Sequence, residues 1–481
     1  MSQDEREQVL ILEKYIQKKS RQFTVNDAAS VTGLPLLETE EGVKELMQKY
    51  DCKLRVTEGG DLIYDFGTMH RREAKSFGEY FQDFLSLVWR GFTIFYKIAI
   101  SVFLVLYFVI FLLLVLALVI AVMSGGKDNN NSSRGAGSLI YVVFRVFLSI
   151  FQWNTIMGYN NTYRRYDKQG YGYKHYTEKQ GILANIRSKD GDSKDKKGFV
   201  ASIYDFVFGP PRVEPDPLDN QREVATYLRE NKALISTYEV QALAGWTREE
   251  AENFMTQVLA NYNGKAEISP NGILYGDFTE FTRSKDRTGE APIIWYWDEY
   301  EPEYELTGNK IGRDVGVGFM NGFNLLLSSL VLWGPLGQIL EAGPLVYTFL
   351  GWIPLIYSLV FFLIPLFRYF TLLPKRKERY KANIRKRLMK AIFQEHSAEM
   401  SLEQLTKIAN AKRTTEEPLS EKIVEAVMMD VIYDLGGESS VNAAGVIVYK
   451  FDRLDQELDE IEQLRREKRD EGDIGKIVFE A

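Results

Sequence analysis

Cysteine and histidine are nearly missing from this chain. Its 481 residues contain one cysteine, Cys52, and three histidines, His70, His175 and His396. A single cysteine excludes an intrachain disulfide and any cysteine-based zinc or iron–sulfur site within one chain. The histidines lie far apart with no ligand spacing, so neither a metal nor a cofactor is expected. The lack of cysteine pairs fits a reducing cytoplasm. The start, Met1-Ser2-Gln3-Asp4-Glu5, has no basic region followed by an apolar core, so no signal peptide is expected. Phosphate loops are missing as well. Gly170 and Gly172 follow no buried strand and precede no Gly-Lys-Ser/Thr ending. With no nucleophile–base pair either, an enzyme is the least favoured class.

Long apolar runs are present. Ile98 to Met123 carries no charge and exceeds the roughly 20 residues a membrane span needs. Leu345 to Leu366 is a second strong run, with Pro354 and Pro365 predicting a kink. Two weaker segments are Leu139 to Trp153, interrupted by Arg145, and the glycine-rich Val315 to Leu340, which holds Asn321 and Asn324. The favoured expectation is four membrane segments paired as two hairpins; two spans with an exported centre is the alternative. Arg71, Arg72, Lys75, Arg90 and Lys97 precede the first run, and Lys375, Arg376, Lys377 and Arg379 follow the last. By the positive-inside rule both termini and the central region face the cytoplasm, as in a bacterial inner-membrane protein. Arg145 either pairs between helices or snorkels from a shallow helix, and the second reading is preferred.

A module recurs three times between these runs. Thr24-Val25-Asn26-Asp27 and Ser236-Thr237-Tyr238-Glu239 are capping boxes, and Ser401-Leu402-Glu403-Gln404 is a looser one. The short helices they open end at Gly33, Gly245 and Asn410, residue types suited to a left-handed C-cap. A leading helix precedes each box; a third helix and two strands joined by a turn follow it. Three helices and a two-stranded ribbon predict a winged-helix-like module, so the fold class expected is an α-helical membrane protein with three α+β winged-helix-like cytoplasmic modules.

Winged helices read DNA through the third helix and wing. Here those helices are acidic: Glu249, Glu250 and Glu252 stand against Arg248 alone, and Glu421, Glu425, Asp430 and Asp434 against Lys422. Residues 1–66 carry 9 basic and 13 acidic side chains, and residues 219–278 carry 5 and 9, a net of −4 in each. Phosphate contact needs clustered Lys and Arg, so nucleic acid is an improbable partner and solvated protein-interaction faces are preferred. The basic run from Lys375 is assigned to anionic lipid through Lys375, Arg376, Lys377 and Arg379.

The expected organisation is module one at 1–68, an amphipathic linker helix at 69–92 and a membrane hairpin at 93–158. A basic, tyrosine-rich connector at 159–218 leads to module two at 219–280. An acidic-aromatic connector at 281–314 and a second hairpin at 315–373 follow. Residues 374–452 form a basic juxtamembrane helix and module three, and 453–481 a charged helix and tail. Leu454, Leu458, Ile461 and Leu464 line one face of that last helix, suited to docking on a neighbouring subunit. The strip from Asp298 to Glu305 is expected to pair with the basic juxtamembrane run.

The stretch Phe208-Gly209-Pro210-Pro211 through Pro217, with Leu306-Thr307-Gly308-Asn309-Lys310-Ile311-Gly312-Arg313, resembles a poorly characterised family of bacterial and plastid membrane proteins. That resemblance implies no settled activity. The general resemblance to winged-helix modules implies DNA binding in many members and protein contact in others. The expectation is therefore a non-enzymatic membrane scaffold that self-assembles as a homo-oligomer or binds a cytoplasmic protein. A membrane-tethered transcription regulator is the alternative. An oligomeric channel or transporter lined by Arg145, Asn321 and Asn324 is the third reading.

Overall fold

Thr24 and Asp27 close the first turn of a helix from both sides. The Thr24 hydroxyl accepts from the Asp27 amide, and the Asp27 carboxylate accepts from the Thr24 amide. Ser236 and Glu239 repeat this arrangement, as do Ser401 and Gln404. The first two of these helices end at glycines in the left-handed region, Gly33 at φ 78° and Gly245 at φ 70°.

The computed structural model describes residues 3–18, 21–67, 77–124, 160–166, 173–179, 199–210, 218–283, 293–298, 303–395, 399–410, 419–469 and 474–480. The first unit comprises α1 (Gln3–Lys18), β1 (Gln22–Phe23), α2 (Val25–Thr32), α3 (Leu36–Lys49), β2 (Lys53–Thr57) and β3 (Leu62–Asp65). Next come α4 (Phe77–Ser124), the antiparallel pair β4 (Asn160–Tyr166) and β5 (Tyr173–Lys179), and α5 (Phe199–Phe208). The second unit is α6 (Asp219–Glu230), β6 (Leu234–Ser236), α7 (Thr237–Ala244), α8 (Arg248–Asn261), β7 (Lys265–Ile268) and β8 (Leu274–Asp277). It is followed by α9 (Thr279–Thr282) and a 3-10 turn at Tyr296–Asp298. The next group is α10 (Ile311–Trp333), α11 (Pro335–Ile339), α12 (Pro344–Val346), a π turn at Tyr347–Trp352 and α13 (Ile353–Gln394). The third unit adds β9 (Met400–Ser401), α14 (Leu402–Asn410), α15 (Glu421–Leu435), β10 (Glu438–Val441) and β11 (Ile447–Lys450). The chain closes with α16 (Asp452–Glu467) and β12 (Ile477–Glu480).

All three units share one element order and one antiparallel sheet topology, in which the short first strand pairs with the last: β1-β3-β2, β6-β8-β7 and β9-β11-β10. Each has its own core. Leu12, Phe23, Leu46 and Phe66 fill the first, Leu228, Tyr262 and Phe278 the second, Leu388, Met428 and Phe451 the third. Tyr238 belongs to the second unit by sequence but is fully buried in the third core, a burial worth about 2–3 kcal/mol. Ile293 and Trp295 pack on the second core and Tyr296 and Trp297 on the third, so the segment between them joins the two.

Among the described residues, three helical stretches are long and apolar enough to cross a membrane: Ile98–Ala121, Ile311–Trp333 and Pro344–Gln394. α4 and α10 run the same way and α13 runs back. Leu104 of α4 lies level with Val317 and Phe361, whereas Phe111 lies level with Val331 and Leu350. α5 packs at the near end of this bundle, with Ile203 and Val207 against Leu104 and Met320. Gly351 lets α10 approach closely, since a Cβ there would lie 2.5 Å from Leu332. The distortion expected from Pro354 takes the form of the π turn just before it, and α13 then continues through Pro365 and Pro374.

Two expected boundaries fall inside continuous helices. The linker helix and the first span are one element, α4, and the last span and the leading helix of the third unit are one element, α13. A helix ends only where its hydrogen-bond ladder is broken, and a change from charged to apolar residues does not break it. The segment Leu139–Trp153 and Arg145 lie outside the described residues.

The final helix also departs from expectation. α16 docks within its own chain, burying Leu454 and Ile461, and β12 pairs antiparallel with β2 of the first sheet. A hydrophobic stripe specifies burial but does not name the partner, and here the second and third units supply it.

Candidate interaction site

Each capping carboxylate in the first two units also receives an arginine from a later element. Asp27 pairs with Arg229 of α6 at 3.1 Å, and both side chains are 4% exposed. Glu239 takes two bonds from Arg465 of α16, at 2.6 and 2.8 Å, and one from the Tyr227 hydroxyl at 2.6 Å. Burial first, and then the Glu239 charge, push the Tyr227 phenol far above its ordinary value, so it stays a donor. The third unit has neutral, exposed Gln404 at this position.

The opposite ends of the same helices are covered in a parallel way. Arg222 donates to the Thr32 carbonyl at 2.9 Å and the Tyr262 hydroxyl to the Gly33 carbonyl at 3.2 Å. Arg385 donates to the Gly245 and Trp246 carbonyls, each at 3.4 Å, and pairs with Asp434. In both junctions an arginine on the next unit's leading helix meets the negative end of the preceding unit's second helix. Asp434 is thereby buried, not on a solvated acidic face as expected for the third helices.

These junctions consume the second helices and leave the third helices outward. On α8 the exposed residues include Glu249, Glu250, Glu252 and Asn253. On α15 a different surface is presented. Lys422, Ala426, Met429 and Tyr433 share one face, with Tyr433 86% and Met429 63% exposed, and Glu425 and Asp430 beside them. The β10–β11 hairpin adds Val441, Val446 and Ile447, all exposed. Apolar side chains thus share this face with Lys422 and lie beside two carboxylates. Among the described residues no group of three or more His, Cys, Asp or Glu is placed to hold a metal.

The polar membrane residues are held within the chain. Asn321 donates to the Ser358 carbonyl at 2.9 Å and Asn324 to the Leu104 carbonyl at 3.0 Å, and neither has any exposed surface. They tie α10 to α13 and α4 within the chain. In the basic run, Lys375 and Lys377 are exposed, while half-buried Arg376 donates to the Tyr304 carbonyl at 2.8 Å. Arg379 is half-buried. Further along α13, Lys390 pairs with Asp298 at 2.7 Å and the Lys386 ammonium sits 4.7 Å from the Tyr296 ring. The described parts of the acidic-aromatic strip therefore meet α13 in the same chain.

Gly209 and Pro210 meet the segment around Gly308 at the near end of the bundle, where a Cβ on Gly308 would lie 2.8 Å from Pro210. Asn309 donates to the Ser202 carbonyl and to Asp314, both at 2.9 Å, and Arg313 donates to the Ser202 hydroxyl at 3.1 Å. Arg368 lies against Gly209, where a Cβ would stand 1.5 Å from its guanidinium, and donates to the Glu305 and Leu306 carbonyls. Sequence reasoning missed Arg222, Arg229, Arg368, Arg385 and Arg465, because a lone arginine on a helix carries no mark of its partner. Comparison with protein-family models, curated proteins and solved structures finds no match to this chain.

Proposed function

We propose that this chain is a non-enzymatic integral membrane scaffold whose three winged-helix-like modules serve as cytoplasmic protein-interaction units and assemble copies of it into a homo-oligomer. The order helix–strand–helix–helix–strand–strand, with the first strand paired to the last, supports the winged-helix reading of each module. The observation that carries the function is the outward face of α15 with its hairpin, which is apolar and rimmed by carboxylates where a DNA reader needs cations. Exposed Lys375 and Lys377 suit anionic headgroups at the cytoplasmic surface of a bacterial inner membrane.

Chain direction favours a fourth crossing. α4 ends at the far end of the bundle and α5 begins at the near end. Leu139–Trp153, which lies outside the described residues, is the apolar stretch that this reading assigns to that crossing. Both termini and all modules then share one side.

Crosslinking in intact membranes, with products identified by mass, tests the function. A ladder of self-adducts extending beyond a dimer is expected. Capture of a single different protein, or of DNA, would overturn self-assembly.

A further inference from the structure

α4 carries an exposed apolar face that lies outside the modules. α4 is one helix of 48 residues, of which Ile98–Ala121 is the membrane span. Those 24 residues rise about 36 Å, enough for a hydrocarbon core of about 30 Å. Residues 77–97 continue the same helix for about 32 Å more on the module side. The near boundary is marked by Arg313, Asp314 and Arg368, and there Tyr96 lies 6.3 Å from Phe208 of α5.

On this extension the polar residues Glu79, Gln82, Asp83, Ser86, Arg90, Thr93 and Lys97 fall on one arc, leaving an apolar arc of about 200°. Within the apolar arc, Phe77, Phe81, Phe84, Val88, Gly91, Phe95 and Ile98 follow alternating steps of four and three residues, the seam of a coiled coil. Phe84 is 57% exposed, Leu87 67%, Val88 48% and Phe95 68%. At about 150–250 Å² per aromatic side chain, the exposed apolar groups of this stretch offer on the order of 900 Å² per copy. Each partner in a standard interface contributes roughly 800 Å².

We propose that this extension of α4 pairs in parallel with the same helix of a second copy, deepening the self-assembly reading on which it rests. Membrane insertion aligns the two copies, so a parallel two-fold seam requires no further orientation. The arc extends past the segment Ile98–Ala121 that suffices to cover the hydrocarbon, which favours a second copy over lipid as its occupant.

The test uses the full chain in native membranes with Cys52→Ser as background and single cysteines introduced along α4. Oxidation is expected to link copies at Phe84→Cys, Val88→Cys and Phe95→Cys, and not at Gln82→Cys, Ser86→Cys or Thr93→Cys. Phe84→Glu combined with Val88→Glu should abolish the link at Phe95→Cys. Loss of seam links while self-adducts of the Cys52-containing chain persist would overturn this helix seam and leave self-assembly standing. Loss of both would overturn both. Equal linking on the two arcs, or access of a lipid-phase nitroxide quencher to a fluorophore at the seam cysteines, would overturn the helix pair in favour of collision or lipid cover.

Discussion

Replacing Arg465 by methionine should loosen the docking of α16 on the second module more than any surface ion pair would. The Arg465 side chain is 13% exposed and that of Glu239 6%. Glu239 currently receives Arg465 twice, the Tyr227 hydroxyl and the Ser236 amide. Methionine keeps most of the packing but leaves a buried carboxylate with two neutral donors. Breaking one partner of a buried pair costs about 3–5 kcal/mol. The donors that remain place this case near the lower bound, so about 3 kcal/mol is expected, or on the order of a hundredfold in an opening equilibrium. Hydrogen exchange on the full-length protein reads that quantity locally, in β6, α7 and α16. Adding Glu239→Gln should recover most of the loss, because the amide preserves the cap on Ser236 and removes the stranded charge. Less than a twofold change in the single variant, or a double variant worse than either single one, would refute the reasoning.

Other outcomes follow from the same geometry. Burial holds the Glu457 carboxyl above its ordinary value, outweighing the pull of the Tyr238 amide it accepts from. An acid raised in the folded state favours folding while protonated, and that contribution is lost as pH climbs from about 4.5 through the folded value. Glu457→Gln should therefore slow exchange in α16 relative to wild type above that window and leave it unchanged below; a gain confined to acid pH would contradict this. Gly209→Ala should expel the Arg368 guanidinium, at a backbone cost of about 1–2 kcal/mol, and speed proteolysis between residues 303 and 310. Unchanged cleavage would mean that the contact does not hold the loop. Asn324→Leu removes both the bond to Leu104 and an Oδ1 atom without a partner among the described residues. A loss of about 0.6 kcal/mol is expected in detergent unfolding, and collapse of the fold would show that the residue carries more than a helix tie.

The repeated element order was legible because the short second helices are specified by local chemistry. A hydroxyl three residues before an acid, then a glycine nine residues past that hydroxyl, sets both ends of a short helix whatever surrounds it, as at Thr24-Asp27-Gly33 and Ser236-Glu239-Gly245. The strong apolar runs were legible for a similar reason, since length and the absence of charge suffice. The borders drawn at residues 92 and 373 fall inside continuous helices: composition changes there, and both helices run on.

What stayed hidden was which charge meets which. Asp27 and Glu239 each carry a local task that fully explains their presence, so nothing in the sequence marks them as receivers for Arg229 and Arg465, which lie 202 and 226 positions away. Those pairings exist only because modules of one design stack in one sense, each offering the same helix ends to whatever follows. The position that breaks the pattern is readable once the rule is known. The third module carries Gln404 where the first two carry an acid, so no buried arginine is demanded there. Its third helix bears the exposed side chains of Met429 and Tyr433. A neutral cap and an exposed apolar face thus occur together in the third unit, whereas the first two units pair a buried capping acid with an arginine.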